Sequence, residues 1–202
     1  IVEAITSDYN LPLGVIGPAT MTHPILQRMT PDALARSTKD DTVLLGWPTY
    51  LGALGAFNAY EPAYDKLVPF GNRDAHSYAA EAKAQGGQVK AAYASVDFAN
   101  PTGKTLNLSE RQAILALADD LGIAVIEDAA YQALRYDGEA IPPMLALEIA
   151  RKGNIEECRT LYCGSFSKTL APGLRVGWVC GAAPVISQLV LMTQAADLHS
   201  AT

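Results

Sequence analysis

Gly164-Ser165-Phe166-Ser167-Lys168-Thr169-Leu170-Ala171-Pro172-Gly173-Leu174-Arg175-Val176-Gly177-Trp178 sets one lysine beside two hydroxyls, with an arginine seven residues on. Apolar, β-like runs flank it, Thr160-Leu161-Tyr162-Cys163 before and Val176-Gly177-Trp178-Val179-Cys180 after. Surface lysines usually stand on helix faces among other charges. Lys168 lies instead in a loop of small residues between two strands, a setting that predicts a side chain held near the interior rather than one snorkelling at the surface. A desolvated lysine has a lowered pKa and serves as an amine nucleophile. Ser165, Ser167 and Arg175 supply the donors that a phosphate needs.

Outward from this loop, strand-like and helix-like stretches alternate. Thr42 to Gly46, Tyr64 to Phe70, Val89 to Val96, Gly122 to Asp128, Thr160 to Gly164 and Arg175 to Cys180 read as strands. Helices are predicted from Tyr50 to Tyr60, from Asp74 to Gln85 with a Gly86-Gly87 stop, and from Ser109, as N-cap, to Leu121 with a Gly122 stop. A further helix is predicted from Pro184 to Leu198, and Tyr136 to Glu157 reads as polar and irregular. Residues 1–40 are poorly patterned, with Pro12, Pro18, Pro24 and Pro31 and only hints of helix at Ile25 to Met29 and Ala33 to Arg36. The alternation implies an α/β fold, three layers around a mainly parallel sheet. Ligands in such sheets bind beyond the carboxyl ends of the strands, where the informative motifs fall.

The bulk properties exclude several classes. At 202 residues the chain holds one domain with a sizeable core, and its hydrophobic half and 18% charged residues fit a soluble globular protein. A net charge of -6 with no basic tail argues against nucleic acid as a partner. No apolar run is long enough for a membrane span, and Ile1-Val2-Glu3-Ala4 does not open a secretory signal. Cys158, Cys163 and Cys180 lack metal-ligand spacing and read as reduced thiols of a cytoplasmic protein, the latter two as small core residues. No metal site is expected. His23, His76 and His199 have no spaced partner, and Trp47 and Trp178 read as packing residues.

Two more motifs end strands. Asp128 closes an apolar run and precedes Ala129-Ala130-Tyr131; alone, it reads first as a helix N-cap. Asn100-Pro101-Thr102-Gly103 follows another strand and alone reads as a turn. Tyr50, in Gly46-Trp47-Pro48-Thr49-Tyr50, reads equally as a core aromatic opening a helix and as a ring for stacking.

Taken in order, Asn-Pro-Thr-Gly, Asp-Ala-Ala-Tyr and Ser-Phe-Ser-Lys with Arg175 resemble the class I/II, fold type I pyridoxal-phosphate aminotransferases. Ser165 to Gly177 is most similar to the branch of 2-aminoadipate, kynurenine and aromatic aminotransferases. The resemblance covers about Asp41 to Thr202 and implies a cofactor, pyridoxal 5'-phosphate, held by a large domain over residues 41–202. It implies that Lys168 forms an aldimine and then carries the proton at the substrate Cα. By the same resemblance Asp128 is expected to pair with the pyridine nitrogen and keep it protonated, and Asn100 and Tyr131 to hydrogen-bond the ring's phenolic oxygen. It likewise implies that Ser165, Ser167 and Arg175 hold the phosphate and that Tyr50 matches an aromatic that stacks on the ring. The implied activity moves an amino group from an amino acid to a 2-oxo acid in a homodimer.

The chain departs from that pattern twice. The family's small-residue phosphate loop ahead of Thr42 has no counterpart in Arg28 to Asp40, which contains no glycine, although Thr30 or Asp32 could cap a helix. The smaller C-terminal domain, with its arginine for the substrate carboxylate, is absent after Thr202, so the chain reads as part of a longer enzyme. The alternatives are a pyridoxal-phosphate-dependent lyase, an aminotransferase-like effector-sensing domain of a transcription regulator, and an inactive structural homologue.

Overall fold

The computed structural model describes residues 14–16 and 40–197. Seven strands form one sheet: β1 (Gly14–Ile16), β2 (Thr42–Leu45), β3 (Ala63–Lys66), β4 (Val89–Ser95), β5 (Ala124–Asp128), β6 (Thr160–Ser165) and β7 (Gly177–Cys180). They stand in the order β1-β7-β6-β5-β4-β2-β3. β3, β2, β4, β5 and β6 run parallel, whereas β7 is antiparallel to β6 and β1 antiparallel to β7. The expected α/β architecture is therefore observed. β1 is an addition, formed within the poorly patterned N-terminal stretch.

Six α-helices complete the described residues: α1 (Leu51–Phe57), α2 (Ala75–Ala84), α3 (Leu108–Leu121), α4 (Met144–Lys152), α5 (Phe166–Thr169) and α6 (Ala183–Asp197). Alternate residues of the strands feed two apolar layers, as a parallel sheet buried on both faces requires. Val43, Leu45, Tyr93, Ile126 and Val179 pack with Ala53, Ala56 and Phe57 of α1 and Leu189 of α6. Leu44, Ala92, Ala94 and Val125 pack with Tyr78 of α2, Ile114, Leu115 and Ala118 of α3, and Met144 of α4. Three layers result.

Several boundaries differ from expectation. The cap of α3 is Asn107, not Ser109. Its side chain accepts from the Glu110 amide at 2.9 Å, and Glu110 in return accepts from the Asn107 amide at 2.8 Å. This reciprocal pair satisfies two amides, which a serine two residues later would not do. Tyr136 to Glu157 is not irregular throughout, because α4 and a short 3₁₀ turn (Ile155–Glu157) occupy part of it. The start of α4 carries no polar cap of its own. Instead the buried Glu127 of β5 accepts from the Met144 and Leu145 amides at 2.7 and 3.1 Å. β3 ends at Lys66 rather than Phe70, and the predicted 50–60 helix divides into α1 and a 3₁₀ turn at Asn58–Tyr60. The hints of helix at Ile25 to Met29 and Ala33 to Arg36, caps at Thr30 or Asp32, His23, His199 and the end at Leu198 lie outside the described residues.

Candidate functional site

Parallel alignment of β2, β4, β5 and β6 brings their carboxyl ends, and the segments that follow, to one edge of the sheet. Asp128 is the last residue of β5, in register with Ser95 of β4 and Cys163 of β6. It is 7% exposed. Its neighbour Glu127 points to the opposite face, so two adjacent carboxylates serve different sides of the sheet.

One Asp128 oxygen accepts the Tyr93 hydroxyl at 2.5 Å and the other accepts the Ala130 amide at 3.1 Å. The second bond makes a tight turn after the strand, not the helix cap that the isolated motif suggested. Burial pushes the Asp128 carboxyl above its ordinary pKa, while the Tyr93 and Ala130 hydrogen bonds pull it down. Tyr93 is itself raised well above an ordinary tyrosine, first by burial and then by the Asp128 charge. Among the described residues no basic side chain pairs with Asp128. A buried carboxylate so placed can receive a cation or a protonated ring nitrogen.

Lys168 sits on α5, a single helical turn rather than a loop. Ser165 builds this turn by accepting the Ser167 amide on its hydroxyl at 2.8 Å. The lysine is exposed, which corrects the expectation of a side chain held near the interior. The reason is geometric: β6 ends at the sheet edge, and the turn carries its third residue out over it. The Lys168 ammonium lies 5.6 Å from the centre of the Tyr131 ring, so the β5 and β6 segments converge at this point.

The remaining expected residues are placed as follows. The Ser167 hydroxyl is buried with no hydrogen-bond partner. Ser165 is almost fully buried, and its hydroxyl also reaches the Val176 carbonyl at 3.5 Å, so it is already engaged. Arg175, at φ 52°, donates to the Pro172 carbonyl at 3.3 Å and pairs with no carboxylate among the described residues. Asn100 opens a tight turn in which the Gly103 amide donates to the Ala99 carbonyl at 2.6 Å. It lines a cleft with Gly46, Trp47, Thr49 and Ser95 that does not include Asp128 or Lys168. Tyr50 precedes α1 and packs, half-buried, against the layer that holds Tyr93.

These residues fit a cofactor bearing a protonatable ring and a phosphate. Among the described residues the buried Asp128 has no cation, the buried Ser167 hydroxyl has no partner, and Arg175 is not matched to an anion. No group of three or more histidine, cysteine or acidic side chains that could hold a metal occurs among the described residues. Trp178 packs as expected, but Trp47 is 58% exposed and does not. Cys180 is buried and Cys163 partly so, and burial raises both thiols. His76 is exposed.

The sequence reading passed over Tyr93, Arg111 and Arg135. Tyr93 had a visible signal, one large hydroxylated ring within Ala91-Ala92-Tyr93-Ala94. Arg111 had one too, since it shares with Ile114, Leu115 and Ala118 the buried stripe of α3.

Comparison with known proteins bears on this arrangement. The family model for aminotransferase class I and II matches residues 32–198. Aromatic-amino-acid aminotransferase 1 of Thermococcus litoralis is 36% identical over 167 residues, which are 80% of this chain and 38% of that protein. An HTH-type transcriptional regulator of Bacillus subtilis, YisV, is 33% identical over 168 residues, 80% of this chain and 32% of the regulator. The crystal structure of Pyrococcus horikoshii kynurenine aminotransferase with PMP superposes with a TM-score of 0.76 at 33% identity, covering 98% of this chain and 48% of that one. The chain thus spans less than half the length of these relatives.

Proposed function

The chain belongs to the class I and II aminotransferases, and on that premise we propose that the whole protein moves an amino group from an amino acid to a 2-oxo acid, with pyridoxal 5'-phosphate on Lys168. The observation that carries this reading is the buried Asp128 at the end of β5, paired with no basic side chain among the described residues, with the Lys168 ammonium 5.6 Å from the ring of Tyr131 three residues further on.

When bound, the cofactor supplies a cationic ring that withdraws electrons from the substrate Cα. Asp128 holds the ring nitrogen protonated by charge, and its burial makes that pairing stronger than it would be in water. Tyr93 and the Ala130 amide each engage one oxygen and so orient Asp128, and the second lone pair of each oxygen is left for the ring nitrogen. The Lys168 amine removes the proton from the substrate Cα as general base. Its exposed position leaves room for a substrate to reach it. Tyr131 and Asn100 donate to the ring's phenolic oxygen, and Tyr50 stacks on the ring. Ser167, Arg175 and Ser165 hold the phosphate, Arg175 by paired charge-assisted bonds and Ser165 chiefly by building the turn that presents Ser167.

The same reading carries a homodimer in the cytoplasm. Trp47, Val68 and Phe70 are large, exposed and close together near the ends of β2 and β3, a patch suited to a second copy. Similarity to a regulator favours a second reading, an effector-sensing domain that uses the same lysine chemistry without turnover.

Borohydride treatment of the cofactor-loaded whole protein is expected to leave a covalent adduct on the peptide containing Lys168. Amino-donor turnover then separates the enzyme from the sensor. If Lys168→Ala retains full transaminase turnover, the assignment is wrong.

A further inference from the structure

Asn100 and Tyr131 leave different strands, β4 and β5, and the chain between them passes through the whole of α3. A buried ion cluster crosses directly between their segments. Asp97, 1% exposed, lies two residues past β4 and presents one oxygen to both Arg111 Nη2 and Arg135 Nη2, each at 2.8 Å. Arg111, 0% exposed, also donates from Nε to the Leu106 carbonyl at 3.0 Å and from Nη2 to the Val96 carbonyl at 3.4 Å. Its Nη1 reaches the Pro142 carbonyl at 3.1 Å and the Ile141 carbonyl at 3.3 Å. One guanidinium therefore grips both ends of the loop that carries Asn100 and ties that loop to the segment entering α4.

Arg135 completes the span. It stands four residues after Tyr131, at the end of the 3₁₀ turn Gln132–Leu134. Its guanidinium also lies 4.8 Å over the Phe98 ring. Phe98 has φ 49°, a left-handed conformation that a bulky residue keeps only when its surroundings hold it. A planar guanidinium can bond Asp97 and stack on Phe98 at once, which an ammonium cannot do.

We propose that Arg135, with Arg111 and through Asp97, is a positioning residue that sets the spacing between Asn100 and Tyr131 at the cofactor ring. The proposal rests on the reading of those two as donors to the ring's phenolic oxygen. Donors there favour the oxygen's anionic form, and two of them share one atom only if their segments are held at a fixed separation.

The test is the pH midpoint at which the absorption band of pyridoxal phosphate bound to the whole protein changes. Losing one donor is expected to raise that midpoint by about one pH unit in Asn100→Ala or Tyr131→Phe. Arg135→Gln is expected to raise it in the same direction, and to add nothing in the Asn100→Ala/Tyr131→Phe background. In cofactor-free protein, Arg135→Gln is expected to speed amide exchange at Ala99 and Gly103, whose amides bond within the loop. Should Arg135→Gln not accumulate as folded protein, Arg135→Lys keeps the charge and loses the fork, and the same comparisons apply. A parental midpoint in the Arg135 variant, with both donor variants shifted, overturns the brace and leaves the donor reading standing. An equal shift with and without the donors also overturns it, since Arg135 would then act by its charge alone. If neither donor variant moves the midpoint, the donor reading fails and the brace fails with it.

Discussion

At Asp128 two opposing influences meet in one carboxyl group: removal from water favours the proton, and the hydrogen bonds from Tyr93 and Ala130 favour the anion. Tyr93 is thus the side chain that favours the Asp128 anion, the form its proposed role requires. Tyr93→Phe removes a bond to a charged acceptor, worth about 1.5–3 kcal/mol. The cofactor's Kd, read by absorbance titration of the apo-protein, is expected to rise at least about tenfold. An unchanged Kd would mean that Asp128 needs no such support. Lys168, Asp128 and Tyr131 were legible in sequence because short motifs carry them. Tyr93 showed as a lone large ring among alanines, but its pairing did not, because its partner stands 35 residues away and only the parallel register of β4 and β5 brings them together.

Among the elements, β6 and β7 build the platform for Lys168. Gly164 stands opposite Trp178, and a Cβ added there would lie 2.3 Å from the indole ring. The indole ring thus occupies the space of a side chain. Gly164→Ala is expected to destabilise the fold by about 1–3 kcal/mol, measured by urea denaturation, since overpacking forces the strand or ring to shift. A denaturation midpoint equal to the parent's would show that the Trp178 ring gives way freely. The strands were legible as apolar runs bounded by polar turns. α4 was not, because the group that satisfies its first amides is Glu127, on a strand that precedes it by 16 residues in the sequence. The cap of α3 was misplaced by two residues because serine and asparagine are both good caps, and only the return bond from Glu110 chooses between them.

Over the whole molecule, Glu127 makes stability depend on pH. Burial raises its carboxyl from 4.5 to about 7, against the downward pull of the Met144 and Leu145 amides. The folded protein therefore holds a proton that the unfolded chain releases earlier, and stability from this group is present below pH 4.5 and lost as pH rises towards 7. The loss is on the order of 3 kcal/mol. Glu127→Gln is expected to lower stability overall, because an amide group cannot accept both helix amides through two oxygens. It is also expected to flatten the fall between pH 5 and 7 relative to the parent, measured by denaturant titration at each pH. A slope unchanged from the parent would remove Glu127 as its source. The alternation of strands and helices from β2 onward, α4 apart, the family and the motif around Lys168 were determined by the sequence alone, because hydrophobic period and short motifs are local properties. Which groups meet was decided only by the tertiary structure. The exposure of Lys168, the Tyr93–Asp128 bond and the Asp97 cluster all depend on strands distant in sequence lying 4.8 Å or so apart, and burial and charge act across that distance rather than along the chain.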